Sequence, residues 1–501
     1  MTREKGKGIR EKDFLFPFAL CLVPFILLAI LNSAGYRYGA SDQAFYAPAI
    51  LDRLHPELFP RDSNLIHSQA RLTLVDETIG TMARITGLSL PSLFAALYVF
   101  ALILLALASS QIGRTYYQTQ WACVALLGAV TMRHAIAKSG TNTLEGYFHP
   151  RQLAFALGVT GLVMFLRGRL WSAALMVVLA GSVHPTTALW FGVWLGIAAV
   201  VAERRLRLPA TAAVLCVVPV CVWATFSGPL AGRLMRMDRA WLETLATKDY
   251  LFPLEWPIWV WAINLGYIAV LLWLFQRRRA AGLLVPREPA MLVGCLALVL
   301  VFATALPLNA AGIQLAIQLQ PARIFWMLDF LATVYAVWAL AEGSNAGDRR
   351  ARTVAIILFA LSAIRGAYIH VFVFPDRPVF SINIPDTDWG RAMAWARTSQ
   401  IDSYWLADPM HAVYYGSSLR VAGLRDVFVE AVKDQAIGMY DRSVAMRTQE
   451  RVAALREFNS LTSARARELA ETYALDYLIC EQRLDLPVAF ASGELWVYRL
   501  R

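Results

Sequence analysis

The chain has 501 residues, of which 58% are hydrophobic and only 17% are charged, and its mean hydropathy is +0.49. Too few polar side chains remain to cover a water-soluble globule of this length, so the composition predicts a membrane protein. The formal net charge of +11 does not indicate nucleic-acid binding, because many basic residues lie in short runs between apolar segments and are typical of topology signals.

The first apolar stretch, residues 14–31, follows a basic N-terminus in the manner of a signal peptide. No small-residue cleavage site comes directly after it, so we expect a retained first helix. The six cysteines show neither a disulfide framework nor a zinc-type spacing.

Apolar segments long enough for helices recur along the first three quarters of the chain. They predict helices at residues 14–31, 91–109, 121–132, 152–166, 171–183, 186–202, 210–226, 257–275, 290–308, 324–341 and 353–372. With the N-terminus in the cytoplasm, Lys and Arg are about threefold denser in the inner segments than in the outer ones. This asymmetry predicts a multi-pass protein of a bacterial inner (cell) membrane with an external, periplasmic C-terminus.

The predicted fold class is an α-helical polytopic membrane protein with a small C-terminal α/β extramembrane domain. About 11 transmembrane helices occupy a membrane domain at residues 1–374, and the external domain covers residues 375–501. In that second part mixed patterns predict strands at 403–407, 419–429, 476–480 and 495–499, with helices at 388–398, from 409, at 431–457 and at 462–473. Its dense charges are consistent with a docking or acceptor-recognition surface, although ordinary solvated charge is the simpler explanation.

The first external loop contains a carboxylate in a distinctive place. Ser41 is predicted to be the N-cap of a short helix, which would hold Asp42 at the mouth of the helix bundle with Tyr46 one turn further on. A carboxylate held there, partly out of water, could act as a general base on an acceptor hydroxyl. The simpler alternative is that Asp42 only favours the helix N-terminus electrostatically.

The second external loop concentrates basic side chains where the topology would not place them: Arg133, His134, Lys138, His149 and Arg151. A phosphate at the membrane surface is the natural counter-ion for such a group. The alternative is that these long side chains reach to the membrane interface without binding a ligand.

Further candidates lie in the later external loops and at the outer end of the last helix. Arg323 and Arg365 are costly at that depth unless they line a wet cavity or find a partner such as Asp329. The remaining cavity candidates are Gln43, Glu145, Gln320 and His184, and a lone histidine such as His184 is more often structural. The third loop, residues 227–256, is predicted to be an interfacial segment.

The stretch Ser41-Asp42-Gln43-Ala44-Phe45-Tyr46-Ala47 resembles a motif of the GT-C superfamily of polyprenyl-phosphate-dependent membrane glycosyltransferases. In protein mannosyltransferase-like and aminoarabinose transferase-like members, this loop carries Asp-Glu followed by Tyr-Ala. The tail at residues 388–395 is similar to the start of the external domain in uncharacterised bacterial members. The resemblance implies that Asp42 is the catalytic base, and that a sugar moves from a polyprenyl-phosphate carrier to a glycan, lipid or protein acceptor.

Gln43 departs from that family pattern, because it replaces the expected glutamate and removes one carboxylate. No cofactor is assigned, and both a divalent metal and catalytic activity stay open at this point. The alternative to a glycosyltransferase is a non-catalytic or transport protein that binds a lipid-linked glycan in the same cavity. Membrane lipid is an expected partner in either case, and nucleic acid is not.

Overall fold

The computed structural model describes residues 11–228, 230–343 and 347–501. Within these ranges, all eleven segments predicted to be apolar helices are helical. Their bounds are Glu11–Asn32, Leu90–Tyr116, Gln120–Thr131, Pro150–Leu166, Leu170–Val183, Pro185–Ala202, Arg207–Phe226, Ile258–Ala280, Glu288–Ala310, Ile324–Ala341 and Asp348–Tyr368. The basic residues among the first ten, which contributed to the predicted orientation, lie outside the described residues.

The described part of the chain has six helices that are long and apolar enough to cross a membrane. They are Leu90–Tyr116, Pro185–Ala202, Ile258–Ala280, Glu288–Ala310, Gln314–Ala341 and Asp348–Val373. Shorter apolar helices include Gln120–Thr131, Pro150–Leu166 and Leu170–Val183. The polytopic helical architecture is therefore present, while the figure of about eleven transmembrane helices stays a prediction.

Two helices of the bundle begin at histidines. His149 accepts a hydrogen bond from the backbone of Arg151, and His184 accepts one from the backbone of Thr187. A proline follows each histidine and suits the first helical turn. The two imidazole rings lie 6.1 Å apart, so both helix starts meet at one end of the bundle.

The segment predicted to be the first external loop is folded rather than irregular. It contains the helices Gln43–Leu54, Ser63–Ala70 and Val75–Thr86. The prediction that Ser41 is the N-cap is wrong: Ser41 has a left-handed backbone with φ 53°, and Asp42 occupies the cap position.

A five-stranded sheet forms the centre of the C-terminal region. In chain order its strands are β1 (Tyr404–Leu406), β2 (Asp426–Val427), β3 (Tyr477–Cys480), β4 (Val488–Ser492) and β5 (Leu495–Arg499). Their spatial order is β2-β1-β3-β5-β4. The strand β1 is parallel to both β2 and β3, whereas β5 is antiparallel to β3 and β4.

Helices flank this sheet. They are Asp388–Ala396, His411–Tyr414, Leu419–Ala422, Ala431–Ile437, Arg442–Ala454 and Ser463–Tyr473. Two apolar clusters pack within the region, one around Phe428 and Leu478 and the other around Trp389 and Trp405. The described tail is thus a small mixed helix-and-strand layer.

The predicted strand at residues 419–429 is wrong over its first half. Leu419–Ala422 is a helical turn in which every residue is buried, so no alternation of exposed and buried positions marks a strand there. The sequence prediction also missed β4. It is joined to β5 by a tight turn at Gly493, whose φ of +57° favours glycine.

The segment predicted to be the third external loop packs against the C-terminal region instead of forming only an interfacial segment. Trp241 is buried, and its indole nitrogen donates to the carbonyl oxygen of Gly438 at 2.8 Å. Lys248 donates to the carbonyl oxygen of Val432 at 2.9 Å. Loop and tail therefore build one structure at one end of the bundle.

Candidate functional site

Asp42 lies directly before the helix Gln43–Leu54, but its carboxylate forms no capping hydrogen bond there. Gln43 stabilises the turn instead: its side-chain oxygen accepts from the backbone of Gly39 at 2.7 Å, and its amide nitrogen donates to the carbonyl oxygen of Phe148 at 3.1 Å. Gln43 is fully buried, so it fixes the turn from behind while Asp42 is left to other partners. The alternative in which Asp42 only favours the helix N-terminus electrostatically does not account for those partners.

Two side chains from distant parts of the chain bind the Asp42 carboxylate. Lys433 contacts Oδ1 at 2.6 Å, and Nε2 of His149 contacts Oδ2 at 3.1 Å. Because Nδ1 of His149 accepts a hydrogen bond from the backbone of Arg151, the ring proton of neutral His149 lies on Nε2 and is donated to Asp42. The carboxylate is thus oriented by one cation and one neutral donor.

The charge states of this pair follow from burial and neighbouring groups. Burial alone would raise the pKa of Asp42, but Lys433, followed by His149, outweighs burial and holds that pKa well below its usual range. For His149, burial and then Arg151 lower the pKa to about 4, despite the opposing effect of Asp42. At neutral pH Asp42 is therefore ionised and His149 is uncharged.

Asp42 lines a cavity of about 510 Å³ that opens at the end of the bundle. Its walls come from the segments predicted to be the first three external loops, from the segment after the last helix and from the tail helix Ala431–Ile437. Seven basic side chains line it against two acidic ones, Asp42 and Glu145. The basic ones are Arg37, Arg133, Arg151, Lys248, Arg323, Arg377 and Lys433.

Three of the arginines predicted from the sequence share this cavity: Arg133, Arg151 and Arg323. Each has a buried Nε that finds no hydrogen-bond partner among the described residues. Arg151 is paired with Glu145, while Arg133 and Arg323 lie within 4 Å of no acidic side chain in the described chain. Uncompensated buried donors of this kind are rare in proteins and suit an anionic ligand.

A smaller cavity of about 150 Å³ adjoins the first, and Asp42 and Arg323 line both. It contains the predicted residues Tyr46, His149, His184 and Gln320 among apolar neighbours such as Phe45 and Met439. The backbone of Gln320 is left-handed with φ 50°, and its buried side-chain oxygen has no hydrogen-bond partner among the described residues. Such strain and such an unsatisfied acceptor are typical of binding sites.

Three predicted phosphate ligands do not line either cavity. His134 binds Asp329 at 2.9 Å, and Lys138 pairs with Asp249. Arg365 donates to the side-chain oxygen of Asn32 at 2.7 Å. The structure gives each of these side chains a partner within the protein.

Several site residues were missed in the sequence. Lys433 is 391 positions from Asp42, and nothing in its local sequence distinguishes it from the other charges of the tail. Arg37 and Arg377 are brought to the cavity by a short parallel pairing of Tyr36–Arg37 with Phe380–Ser381. Only the aromatic and basic run after residue 35 could have drawn attention to Arg37.

A buried ion network positions the tail against the first loop. Nε of Arg420 donates to Oδ2 of Asp62 at 2.7 Å, and the same guanidinium binds Asp434 at 2.7 and 3.0 Å. Arg447 also binds Asp62. Because Asp434 is adjacent to Lys433 in the same helix, this network places the lysine that reaches Asp42.

The divalent metal left open by the sequence finds no ligand set in this site. Asp42 is already bound by Lys433 and His149, and Glu145 is paired with Arg151. No group of three or more His, Cys, Asp or Glu side chains suited to a metal occurs within residues 11–228, 230–343 and 347–501.

No protein-family model matches the sequence, and no curated protein matches it either. Among solved structures, the chain is similar to the oligosaccharyltransferase of Archaeoglobus fulgidus in its apo form. The sequence identity is 12%, the TM-score is 0.45, and the alignment covers 94% of this chain and 70% of that one. A likeness of this size assigns neither a fold family nor an activity, so the function is argued from the site.

Proposed function

We propose that this protein is a GT-C-like membrane glycosyltransferase that transfers a sugar from a polyprenyl-phosphate carrier to a hydroxyl acceptor on the external face. The observation that carries the proposal is the position of Asp42: an ionised carboxylate in the shared wall of a strongly basic cavity and a smaller, more apolar one. Two adjoining cavities with a carboxylate between them suit a reaction that joins two substrates.

The basic cavity suits the donor phosphate. When the bond between the sugar carbon and the phosphate oxygen breaks, both bonding electrons leave with the phosphate, which departs as polyprenyl phosphate. Arg133 and Arg323 have no acidic partner within the described residues, so they are available to stabilise that charge. Preorganised cations in a site that excludes water are worth several kcal/mol to such a transition state.

Asp42 suits the role of general base. As the acceptor oxygen bonds to the sugar carbon, its proton becomes acidic and passes to the carboxylate. His149 and Lys433 hold that carboxylate in place from both oxygens. A positioned base of this kind contributes roughly 10²- to 10⁴-fold to a rate.

The competing candidate is a protein that binds or moves a lipid-linked glycan without cleaving it. The same cations and the same cavity would serve that purpose, because a phosphate must be bound in either case. Loss of the sugar from its carrier separates the two functions.

The experiment reconstitutes the full chain in proteoliposomes with radiolabelled polyprenyl-phosphate hexoses and a mixture of envelope acceptors. We expect label to leave the lipid fraction with wild-type protein and with Asp52→Asn, a matched change on the same helix outside both cavities. Asp42→Asn should stop this loss. Translocation of intact labelled lipid without cleavage would instead establish the competing function.

A further inference from the structure

A further cavity lies at the C-terminal sheet, apart from the two cavities that Asp42 lines. The chain passes from β1 to β2 on one side, and then to β3 on the other side of β1. Where the strand order of parallel neighbours reverses in this way, a crevice opens at their carboxyl ends, and such crevices commonly bind ligands. A cavity of about 280 Å³ lies at this position, lined by Asp408 beyond β1 and Glu481 beyond β3.

In each of the two carboxylates that line this cavity, one oxygen accepts a hydrogen bond from the protein. Oδ1 of Asp408 accepts from the backbone of Met410 at 2.6 Å, and Oε1 of Glu481 accepts from the hydroxyl of Tyr415 at 2.8 Å. Their second oxygens have no hydrogen-bond partner within the described residues. Two carboxylates that each keep one oxygen free offer acceptors for hydroxyl donors.

Aromatic side chains complete the lining. Tyr415 stacks on the buried Trp389 with ring centroids 4.6 Å apart and planes 12° apart, which makes a rigid pair. Tyr414 also lines the cavity, and 64% of its surface is exposed. An exposed aromatic ring that lines the same cavity as hydrogen-bond acceptors provides an apolar face together with polar anchors.

The charge of the side chains that line this cavity limits which ligands can bind there. No basic side chain among the described residues lines this cavity, in contrast to the cavity at Asp42, so phosphates and carboxylates would be repelled by Asp408 and Glu481. A neutral molecule with several hydroxyl donors and one apolar face fits the remaining requirements. We propose that the carboxyl-end crevice of β1 and β3 is a binding site for a neutral saccharide.

This site lies one short helix away from the basic cavity. The segment 409–416 lines a further cavity of about 320 Å³ together with Arg37 and Lys433, which also line the basic cavity. A saccharide chain held at the sheet would therefore lie next to the proposed reaction site. The proposal goes beyond the glycosyltransferase function, since saccharide binding in this crevice needs neither Asp42 nor a lipid carrier.

The test measures binding to the purified full chain in detergent by isothermal titration calorimetry, without any lipid donor. The probes are linear oligosaccharides of mannose, of glucose and of N-acetylglucosamine. Tyr414→Ala removes the exposed ring, and Glu481→Gln keeps the hydrogen bond from Tyr415 while removing the charge. Tyr414→Phe and Glu471→Gln, a surface change on the helix Ser463–Tyr473, are the matched controls.

We expect at least one probe to bind, with affinity about tenfold weaker in Tyr414→Ala and in Glu481→Gln and nearly unchanged in both controls. Size-exclusion profiles identical to the wild type show that the variants are folded. Absence of binding by all three probes up to about 10 mM, or binding that neither variant weakens, would overturn the proposal. Because no turnover is measured, this outcome is independent of whether Asp42 catalyses transfer.

Discussion

Asp42 is a carboxylate whose environment favours its charge and limits its basicity. Burial would raise its pKa, yet Lys433 and then His149 hold the pKa well below the usual range. In the resting site the carboxylate is therefore ready to accept a hydrogen bond, but it binds a proton weakly. A donor phosphate that attracts Lys433 away from Oδ1 would raise the basicity of Asp42 when both substrates are bound.

Lys433→Gln tests this electrostatic coupling. Without the ammonium group, burial dominates and the pKa of Asp42 rises, so its conjugate acid persists to higher pH. We expect the acidic limb of the kcat/KM profile against pH to move upward, with activity lost as pH falls from neutrality. Lys433→Arg keeps the charge and should retain the wild-type limb. An unmoved limb in Lys433→Gln would exclude this coupling.

Arg133 and Arg323, which have no acidic partner among the described residues, lead to a second prediction. Arg133→Gln and Arg323→Gln each remove a cation that lacks an acidic partner within the described residues, so the affinity for polyprenyl phosphate should fall about tenfold or more. Arg365→Gln is the control, because that side chain binds Asn32 and does not line the cavity. Equal losses in all three variants, measured by binding of labelled polyprenyl phosphate, would contradict the assignment.

At the scale of elements, the helix Ala431–Ile437 is held by the buried guanidinium of Arg420, which is only 1% exposed. This guanidinium pairs with Asp62 of the first loop and Asp434 of that helix. Removing one partner leaves the others as buried, uncompensated charges, which costs about 3–5 kcal/mol.

Arg420→Met should therefore lower the free energy of unfolding by about 3–5 kcal/mol. It should also loosen the helix that carries Lys433. Arg456→Met, at an exposed position, should change stability by less than about 0.5 kcal/mol. Denaturant unfolding of the two variants in detergent measures the difference, and equal stabilities would show that the network does not hold the loop to the tail.

The elements differ in how far the sequence predicts them. Apolar segments such as 91–109 and 324–341 were found as helices because a long uninterrupted apolar run has few alternatives in a membrane protein. The turn at Leu419–Ala422 was misread because all four residues are buried and carry no periodicity. The short helix after Ser41 was expected, but the helices Ser63–Ala70 and Val75–Thr86 were not. The first of these two packs in a cluster with Val444 of the tail, which is a neighbour distant in the sequence.

The residues of the candidate site also differ in how far the sequence predicts them. The sequence indicates Asp42 by its place at a short helix and its GT-C-like motif, and Arg133 and Arg151 by a basic cluster on the predicted outer side. It indicates Arg323 by the cost of a charge at that depth, and all four residues line one cavity. Their catalytic and binding roles stay predictions. Lys433 could not be found, because its significance arises only from the fold that places the tail against Asp42.

At the scale of the whole molecule, loop and tail must lie on one side of the membrane, because Lys433 contacts Asp42 directly. A cysteine pair tests this arrangement. Nδ2 of Asn64 and Oγ of Ser443 are 3.1 Å apart, and both side chains are exposed, so Asn64→Cys with Ser443→Cys should cross-link on mild oxidation in a background lacking the native cysteines.

The control pair is Asn64→Cys with Asn459→Cys, in which the second position is exposed in the tail but lines the sheet cavity. This pair should not cross-link under the same oxidation. Failure of the first pair, or equal reaction of both, detected as a mobility shift on non-reducing gels, would rule out the packing of loop on tail.

The central claim is that Asp42 serves chemistry and not only binding. The most direct measurement compares polyprenyl-phosphate binding and sugar transfer in the same preparation of Asp42→Asn. The account predicts affinity within about threefold of wild type and transfer reduced roughly 10²- to 10⁴-fold. Transfer at the wild-type rate in this variant, with carrier binding intact, would contradict it.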